Sequence, residues 1–319
     1  MQMSQTSSLP SENAPEKGAF AYNLAKHDHI EALCEEIDQE GMQREIEKHL
    51  LQLMQRLVPN YNVLFLVDEF TLISSWESNT IYQALNELRE EKNLLLVLHS
   101  IGGSIEPAYL ISQTCKKKTK HKFSVTVPRK AKSAATLLSL GADEIHMGML
   151  SELGPIDPQI KLIGDTQSWP ALGIGHSLEY IAKLVCQHPG SASMFAQYLA
   201  TKLEPNQLGY FERVSESAVQ YAERLLGAKE VASEETVHSV AEKLVYHYKD
   251  HDFVIDIDEA TKLLGSSIVK ENTPEYQFGS EIYDLFDRMT LQILKKHDRH
   301  FTFVGTASNG LKIVGTSSV

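Results

Sequence analysis

The strongest constraint on the fold is a succession of short, unbroken apolar runs separated by amphipathic segments. Val63-Leu64-Phe65-Leu66-Val67 ends in Asp68-Glu69. Its apolar residues occupy successive positions rather than alternate ones. Such a run has to be covered on both faces, which is the pattern of a strand inside a parallel sheet. Ser75 to Glu90 follows, with Ile81, Leu85 and Leu88 on one helical stripe. The order then returns. Leu94–Leu98 reads as a strand, Glu106 to Lys117 as a helix, Phe123–Val127 as a strand, Ala134–Leu140 as a helix and Glu144–Met147 as a short strand. Strands alternating with helices imply an α/β domain whose parallel strands are joined by right-handed crossovers.

The flanks read differently. Residues 1–20 are rich in Ser, Pro, Glu and Gly, a composition expected to be disordered. Residues 21–60 read as a helical extension, because Leu33, Ile37, Ile46, Leu50, Leu51 and Met54 recur at helical spacing. The main domain is expected over 61–270, and a last helix with a tail over 271–319. Beyond Ile160 a segment containing Gly and Trp runs to Gly175. A helical region from His176 to Leu226 follows, broken at His188-Pro189-Gly190. Further helices are expected over Ser233–Tyr248, Asp258–Leu264 and Glu275–His297. The tail from Phe301 is rich in Gly, Ser and Thr and reads as a short hairpin or a disordered end.

Composition narrows the partners. The 319 residues carry a net charge of −12, which argues against a nucleic-acid backbone as the main partner. Lys116-Lys117-Lys118 with Lys120 is a local exception that reads as a solvated helix end. The three cysteines, Cys34, Cys115 and Cys186, are far apart and form no CxxC pair, so neither a disulfide framework nor a zinc site is expected. No apolar stretch approaches a membrane span, and the first residues lack the apolar core of a signal peptide. The expectation is a soluble, cytoplasmic protein.

Four constellations could carry chemistry. Gly102-Gly103 stands after a strand and before a helix, where backbone N–H groups can approach a ligand oxygen without Cβ interference. Taken alone, the pair reads as a tight strand-to-helix turn. Ser133 opens an apolar helix, where unpaired N–H groups favour developing negative charge and Ala134 N–H could be a second oxyanion donor. Taken alone, Ser133 reads as a helix cap. Asp157 lies between Pro155 and Pro158, so its backbone is restricted and it could orient a base or merely cap a turn. His251, within Asp250-His251-Asp252, could be a general base or an incidental surface histidine. The G-x-S-x-G elbow and the dinucleotide fingerprint are both missing from the sequence.

In this order the pieces resemble the serine dehydrogenase proteinase family, a distant relative of the Clp protease proteolytic subunit and of signal peptide peptidase A. Leu98-His99-Ser100-Ile101-Gly102-Gly103 resembles the family's oxyanion segment, with Ile101 where relatives usually have Pro. Ser133-Ala134-Ala135-Thr136-Leu137-Leu138-Ser139-Leu140-Gly141-Ala142-Asp143-Glu144-Ile145 resembles its nucleophile helix and the following strand. Ser151-Glu152-Leu153-Gly154-Pro155-Ile156-Asp157-Pro158-Gln159 is the most family-specific phrase. His251-Asp252-Phe253-Val254-Ile255, then Asp258-Glu259-Ala260 and Gly265, resembles the closing segment. The resemblance runs from Val63 to Val269.

The resemblance implies a Clp protease/crotonase-type spiral of ββα units with helical N- and C-terminal extensions. It implies a serine peptidase using Ser133, Asp157 and His251, with Gly103 and Ala134 N–H groups as the oxyanion hole. When the closing segments are laid together on Glu259-Ala260, the Clp aspartate falls on Asp252 and the Clp histidine at or beside Asp157, so acid and base positions are exchanged. A Ser–Lys dyad as in signal peptide peptidase A is the competing mechanism, with Lys183 or Lys161 as base. His176 and His188 are reserve bases, and Lys132 is expected to point away. The resemblance implies no metal or organic cofactor, a peptide or protein substrate and a homo-oligomer. The rival readings are a catalytically silent scaffold on the same fold and crotonase-type acyl-CoA chemistry.

Overall fold

The computed structural model describes residues 22–88, 92–160, 169–202 and 205–315. The disorder expected over 1–20 lies outside the described residues. Two helices come first, α1 (His27–Leu33) and α2 (Gln39–Leu57). Asp38 starts α2 by accepting a hydrogen bond from the Gly41 N–H at 3.0 Å. The alternating region follows as β1 (Tyr61–Asp68), α3 (Ser75–Glu87), β2 (Asn93–Ser100), α4 (Ile105–Lys118), β3 (Phe123–Thr126), β4 (Lys130–Ala131), α5 (Ala134–Ser139), β5 (Glu144–Met147) and β6 (Glu152–Leu153). Ser74 and Glu77 form a reciprocal capping box at the start of α3.

A small antiparallel pair, β7 (Gln159–Ile160) and β8 (Trp169–Pro170), leads into α6 (Ala171–Gln187), α7 (Ala192–Lys202) and α8 (Pro205–Leu226). A single turn over Pro189–Ser191 breaks α6 from α7, at the expected His188-Pro189-Gly190. The helix expected over Ser233–Tyr248 begins later, because the Thr236 side chain caps α9 (Val237–Glu242); it continues as a π-helical turn, Lys243–His247. The chain closes with α10 (Ile257–Leu264), β9 (Val269–Glu271), α11 (Pro274–His297), β10 (Arg299–Gly305) and β11 (Leu311–Gly315).

The main sheet runs β11-β10-β1-β2-β3-β5-β9, and from β1 to β9 neighbouring strands are parallel. Each of β3 and β5 is followed by a short strand, β4 and β6. These form a second ladder that, among the described residues, joins the main sheet through Ser100↔Ala131, at the last residue of β2. The repeated strand, short strand and helix is the ββα unit expected from the sequence. The chain has the α/β Clp/crotonase-type fold.

Burial explains the unbroken apolar runs. Leu64, Leu66, Leu94, Leu96 and Leu98 face a core shared with α3, α4, α5, α8 and α10. Val63, Phe65, Val67, Leu95 and Val97 face a second core against α2 and α11. Helix α11 buries Phe278, Ile282, Leu285, Phe286, Met289 and Ile293, a helical stripe laid across the sheet. The helical segments before and after the alternating region therefore cover the sheet's second face.

The sheet is not wholly parallel. β10 pairs with β1 antiparallel, through Phe65↔Gly305, Leu66↔Val304 and Val67↔Phe303, and β11 completes a hairpin with it. The tail's small polar residues mask a strand whose Phe301 and Phe303 are buried with Phe65 and Phe286. The Phe303 ring meets Phe65 edge-on at 5.2 Å and Phe286 at 4.8 Å. Lys116 and Lys118 end α4, paired with Asp143 and Asn86, as a solvated helix end would. Cys34, Cys115 and Cys186 are all free, the first two buried. No described helix is long and apolar enough to cross a membrane.

The hairpin is expected to be integral to stability. Phe303→Ala empties a fully buried site and should cost about 3–5 kcal/mol in equilibrium urea unfolding. A loss under about 1 kcal/mol would mean the hairpin is an appendage.

Candidate active site

Ser133 stands in the turn between β4 and α5. Its backbone has φ 50° and ψ −119°. Of the non-glycine residues with positive φ among the described residues, the others are Asn272 and Asp298, types that tolerate that region. The ψ of Ser133 also lies outside the left-handed helical basin, so this turn stores backbone strain. Its surroundings hold it. Lys132 N–H donates to Ser100 O at 3.0 Å, and Ala135 N–H donates to Lys132 O at 2.8 Å. The Thr136 hydroxyl donates to Ala131 O at 2.6 Å, and α5 is buried throughout. The Ser133 side chain makes no capping hydrogen bond. The helix-cap alternative is thereby removed, and a half-buried hydroxyl is left beside a strained turn.

Gly102 is needed for this approach. A Cβ there would lie 2.7 Å from Lys132 O and 2.8 Å from Ser133 Cβ, and its φ is 104°. Gly103, with φ 150°, is hemmed by Ile73. Ile73 N–H donates to Gly102 O, and Ser104 N–H donates to Ile73 O, each at 2.8 Å. That bridge leaves the Gly103 N–H without an acceptor among the described residues. The Ala134 N–H likewise has none.

Asp157 is 6% exposed, inside a segment buried from Ser151 to Pro158. Backbone bonds fix the segment on two sides. Gly154 N–H donates to the Thr136 hydroxyl at 2.9 Å, and Leu153 N–H donates to Ile255 O at 2.9 Å. Asp157 Oδ2 accepts from Gln159 Nε2 at 3.1 Å, and Oδ1 lies 2.8 Å from His251 Nδ1. The two partners are 94 residues apart in sequence. Burial alone works to lower the His251 pKa. The hydrogen bond and charge of Asp157, aided by Asp252 and Asp250, outweigh it, and the imidazole titrates above its ordinary value. With Nδ1 on the carboxylate, Nε2 is left for another partner. No hydrogen bond joins it to Ser133 Oγ among the described residues.

The reserve bases fare differently. Lys183, His176 and His188 are exposed, Lys183 and His176 on α6, and Lys161 lies outside the described residues. An exposed lysine lacks the desolvation that would make it a base near neutral pH. Among the described residues no cluster could hold a metal ion. Among the described residues, Lys132 makes no side-chain bond to Ser133 and reaches the histidine loop instead. Its Nζ pairs with Glu152 Oε2 at 2.9 Å and approaches the carbonyls of Leu153, Phe253 and Asp252 at 3.3, 3.2 and 3.4 Å. Sequence adjacency to Ser133 hid this reach. Glu152 also receives Arg129 Nη1 at 2.6 Å. Burial works to raise the Glu152 pKa, but the Lys132 hydrogen bond and the charges of Lys132, Arg129 and Lys130 carry it below the usual carboxylate range.

Several known proteins are similar to this chain. Two uncharacterized proteins of Methanocaldococcus jannaschii are similar to this chain. One is 26% identical over 226 residues, covering 70% of this chain and 68% of the relative. The other is 24% identical over 220 residues, covering 68% of this chain and 64% of the relative. Solved structures of a membrane-bound stomatin-specific protease also align. A serine-to-alanine mutant does so with TM-score 0.41 and 14% identity, over 78% of this chain and 91% of that one. A lysine-to-alanine mutant in complex with a substrate peptide aligns with TM-score 0.42 and 14% identity, over 80% and 87%. Residues 37–174, which contain Ser133 and Asp157 and stop short of His251, match the family model of ClpP-like SDH-type serine proteinases, and the resemblance read from the sequence is borne out for that part of the chain.

Proposed function

We propose that the protein is a serine peptidase in which Ser133 is the nucleophile, His251 its base and Asp157 the residue that orients the base. The observation that carries this reading is the 2.8 Å bond between His251 Nδ1 and the buried Asp157. It holds the imidazole in the tautomer that leaves Nε2 free to accept a proton. Ser133 attacks the carbonyl carbon of a peptide bond as its proton passes to His251 Nε2. The negative oxygen of the tetrahedral intermediate is received by the N–H groups of Gly103 and Ala134, both without acceptors among the described residues. His251 then gives its proton to the departing amine, and water, activated by the same base, releases the acyl group. The strained backbone of Ser133 keeps the hydroxyl clear of the helix it precedes. The reading of Lys183 as base is disfavoured by its exposure. The substrate is a peptide or protein segment, and assembly into a homo-oligomer belongs to the same proposal.

A fluorophosphonate probe tests the nucleophile. The wild-type protein should be labelled and Ser133→Ala should not. Equal labelling of the two proteins would exclude Ser133 as the nucleophile.

The pH dependence tests the base. The neutral imidazole is the working form, and its pKa lies above the ordinary histidine value of about 6.5, so labelling should rise through a limb above that value. In Asp157→Asn the raising partner is gone while burial remains. The limb should move to lower pH, and the plateau rate should fall about 10⁴-fold because the wrong tautomer is favoured. The linked stability has the opposite sense. His251 binds its proton more tightly folded than unfolded, so its stabilisation is full below the unfolded pKa and is lost as pH rises through the folded one. An acid limb that stays in place in Asp157→Asn would separate His251 from the reaction.

A further inference from the structure

The loop that carries His251 has few attachments. Within it, Phe253 N–H donates to Asp250 O and Asp252 N–H donates to Asp250 Oδ1. Among the described residues, the hydrogen bonds from 250–254 to the rest of the chain go to two residues, Asp157 through the imidazole and Lys132 through the carbonyls of Asp252 and Phe253. The backbone pair Leu153–Ile255 marks where the loop rejoins the body. We propose that Lys132 is a positioning residue whose ammonium group, seated on Glu152 and against the Asp252 and Phe253 carbonyls, holds the His251 loop in register with the adjoining Ser133.

This proposal rests on the serine reading and adds a part to it. The Lys132 side chain is 13% exposed, too deep for an ordinary surface lysine. A buried ammonium group needs its donors satisfied, and this one meets a carboxylate and three carbonyl oxygens. The carboxylate is the anchor at 2.9 Å, and the carbonyl contacts are longer and weaker. Glu152 is itself fixed by Arg129, so the anchor does not depend on the lysine it holds. The backbone makes room for the stem. A Cβ on Gly154 would lie 2.8 Å from Lys132 Cδ, while its other neighbours are 3.5 Å away. Glycine at 154 is the floor over which the lysine crosses from the nucleophile turn to the histidine loop. One side chain thus links the three segments that supply Ser133, Asp157 and His251.

The test uses two variants of the full chain. Lys132→Met keeps the apolar stem and removes the donors. Gly154→Ala keeps the ammonium group and displaces the stem, by adding one methyl against a flexible side chain. The readouts are the NMR titration of the His251 imidazole, the pH profile of fluorophosphonate labelling and the melting temperature. In Lys132→Met the His251 titration should fall from its raised position, because the Asp157 bond loosens, and labelling at pH 7 should slow about tenfold to a hundredfold. Gly154→Ala should move both in the same direction by less, and Lys132→Arg should restore part of the rate. A residue that merely neutralised Glu152 would lower the melting temperature and leave the His251 titration in place. That result in either folded variant overturns the proposal. If Lys132→Met does not fold, Gly154→Ala decides by the same titration. Failure of the serine reading is distinguishable, since wild type would then be unlabelled while the imidazole titration still reports on the tether.

Discussion

Strands that are apolar on every residue have to be covered twice, and the architecture follows from that requirement. β1 and β2 pair over eight residues and present leucines to one face and Val63, Phe65, Val67, Leu95 and Val97 to the other. The crossover helices of a parallel sheet cover one face as a consequence of chain connectivity. The other face is closed by segments from opposite ends of the chain, α2 and α11, with the β10–β11 hairpin sealing the edge of β1. The hairpin also moves the open edge of the sheet from the eight-residue β1 to the five-residue β11, which shortens the row of unpaired backbone groups.

The candidate site lies where the fold changes from the main sheet to the short ladder. β2 ends at Ser100, which pairs with Ala131, and from there two turns diverge, one through Gly102-Gly103 and one through Ser133. Both require positive φ, and each excludes bulk from the other, since any side chain on Gly102 would meet the Ser133 turn. The ladder continues through β4 to β6, and β6 bonds to Ile255 beyond the histidine loop. Three segments far apart in sequence therefore share a short stretch of backbone hydrogen bonding. The side chains of Asp157, His251 and Lys132 need only close the remaining gaps.

Much of this was legible in the sequence, and the parts that were not have physical causes. Unbroken apolar runs gave β1, β2 and β3, and the punctuation at His188-Pro189-Gly190 gave the break between α6 and α7. Ser133 and Gly102 could be named because glycine pairs and serines at strand-to-helix turns have a mechanistic meaning. Their interlock could not, because it depends on ångström separations. The pairing of Asp157 with His251 was implied by resemblance to a family whose acid and base are exchanged relative to Clp; nothing in local spacing specifies a contact 94 residues apart. The tail strand was obscured by its Gly, Ser and Thr content, although it is buried at every position from Phe301 to Gly305. The reach of Lys132 was not legible for a simple reason. A residue next to Ser133 in sequence is directed by the local backbone, but where a long side chain ends depends on what lies across the neighbouring Gly154.

The same arrangement sets stability against activity. The carboxylate that orients His251 also raises its pKa, so in the proposed mechanism the charged pair that stabilises the loop is the form that cannot accept a proton from Ser133. As pH rises and the base becomes competent, the loop loses part of the attraction that held it. A tether that does not depend on the charge of the imidazole would keep the loop in place through the change. Lys132 is placed to act as one: its ammonium group meets the Asp252 and Phe253 carbonyls and pairs with Glu152, a carboxylate that the charges of Lys132 and Arg129 hold below the usual range. The loop can then release the histidine proton to the reaction without giving up its position.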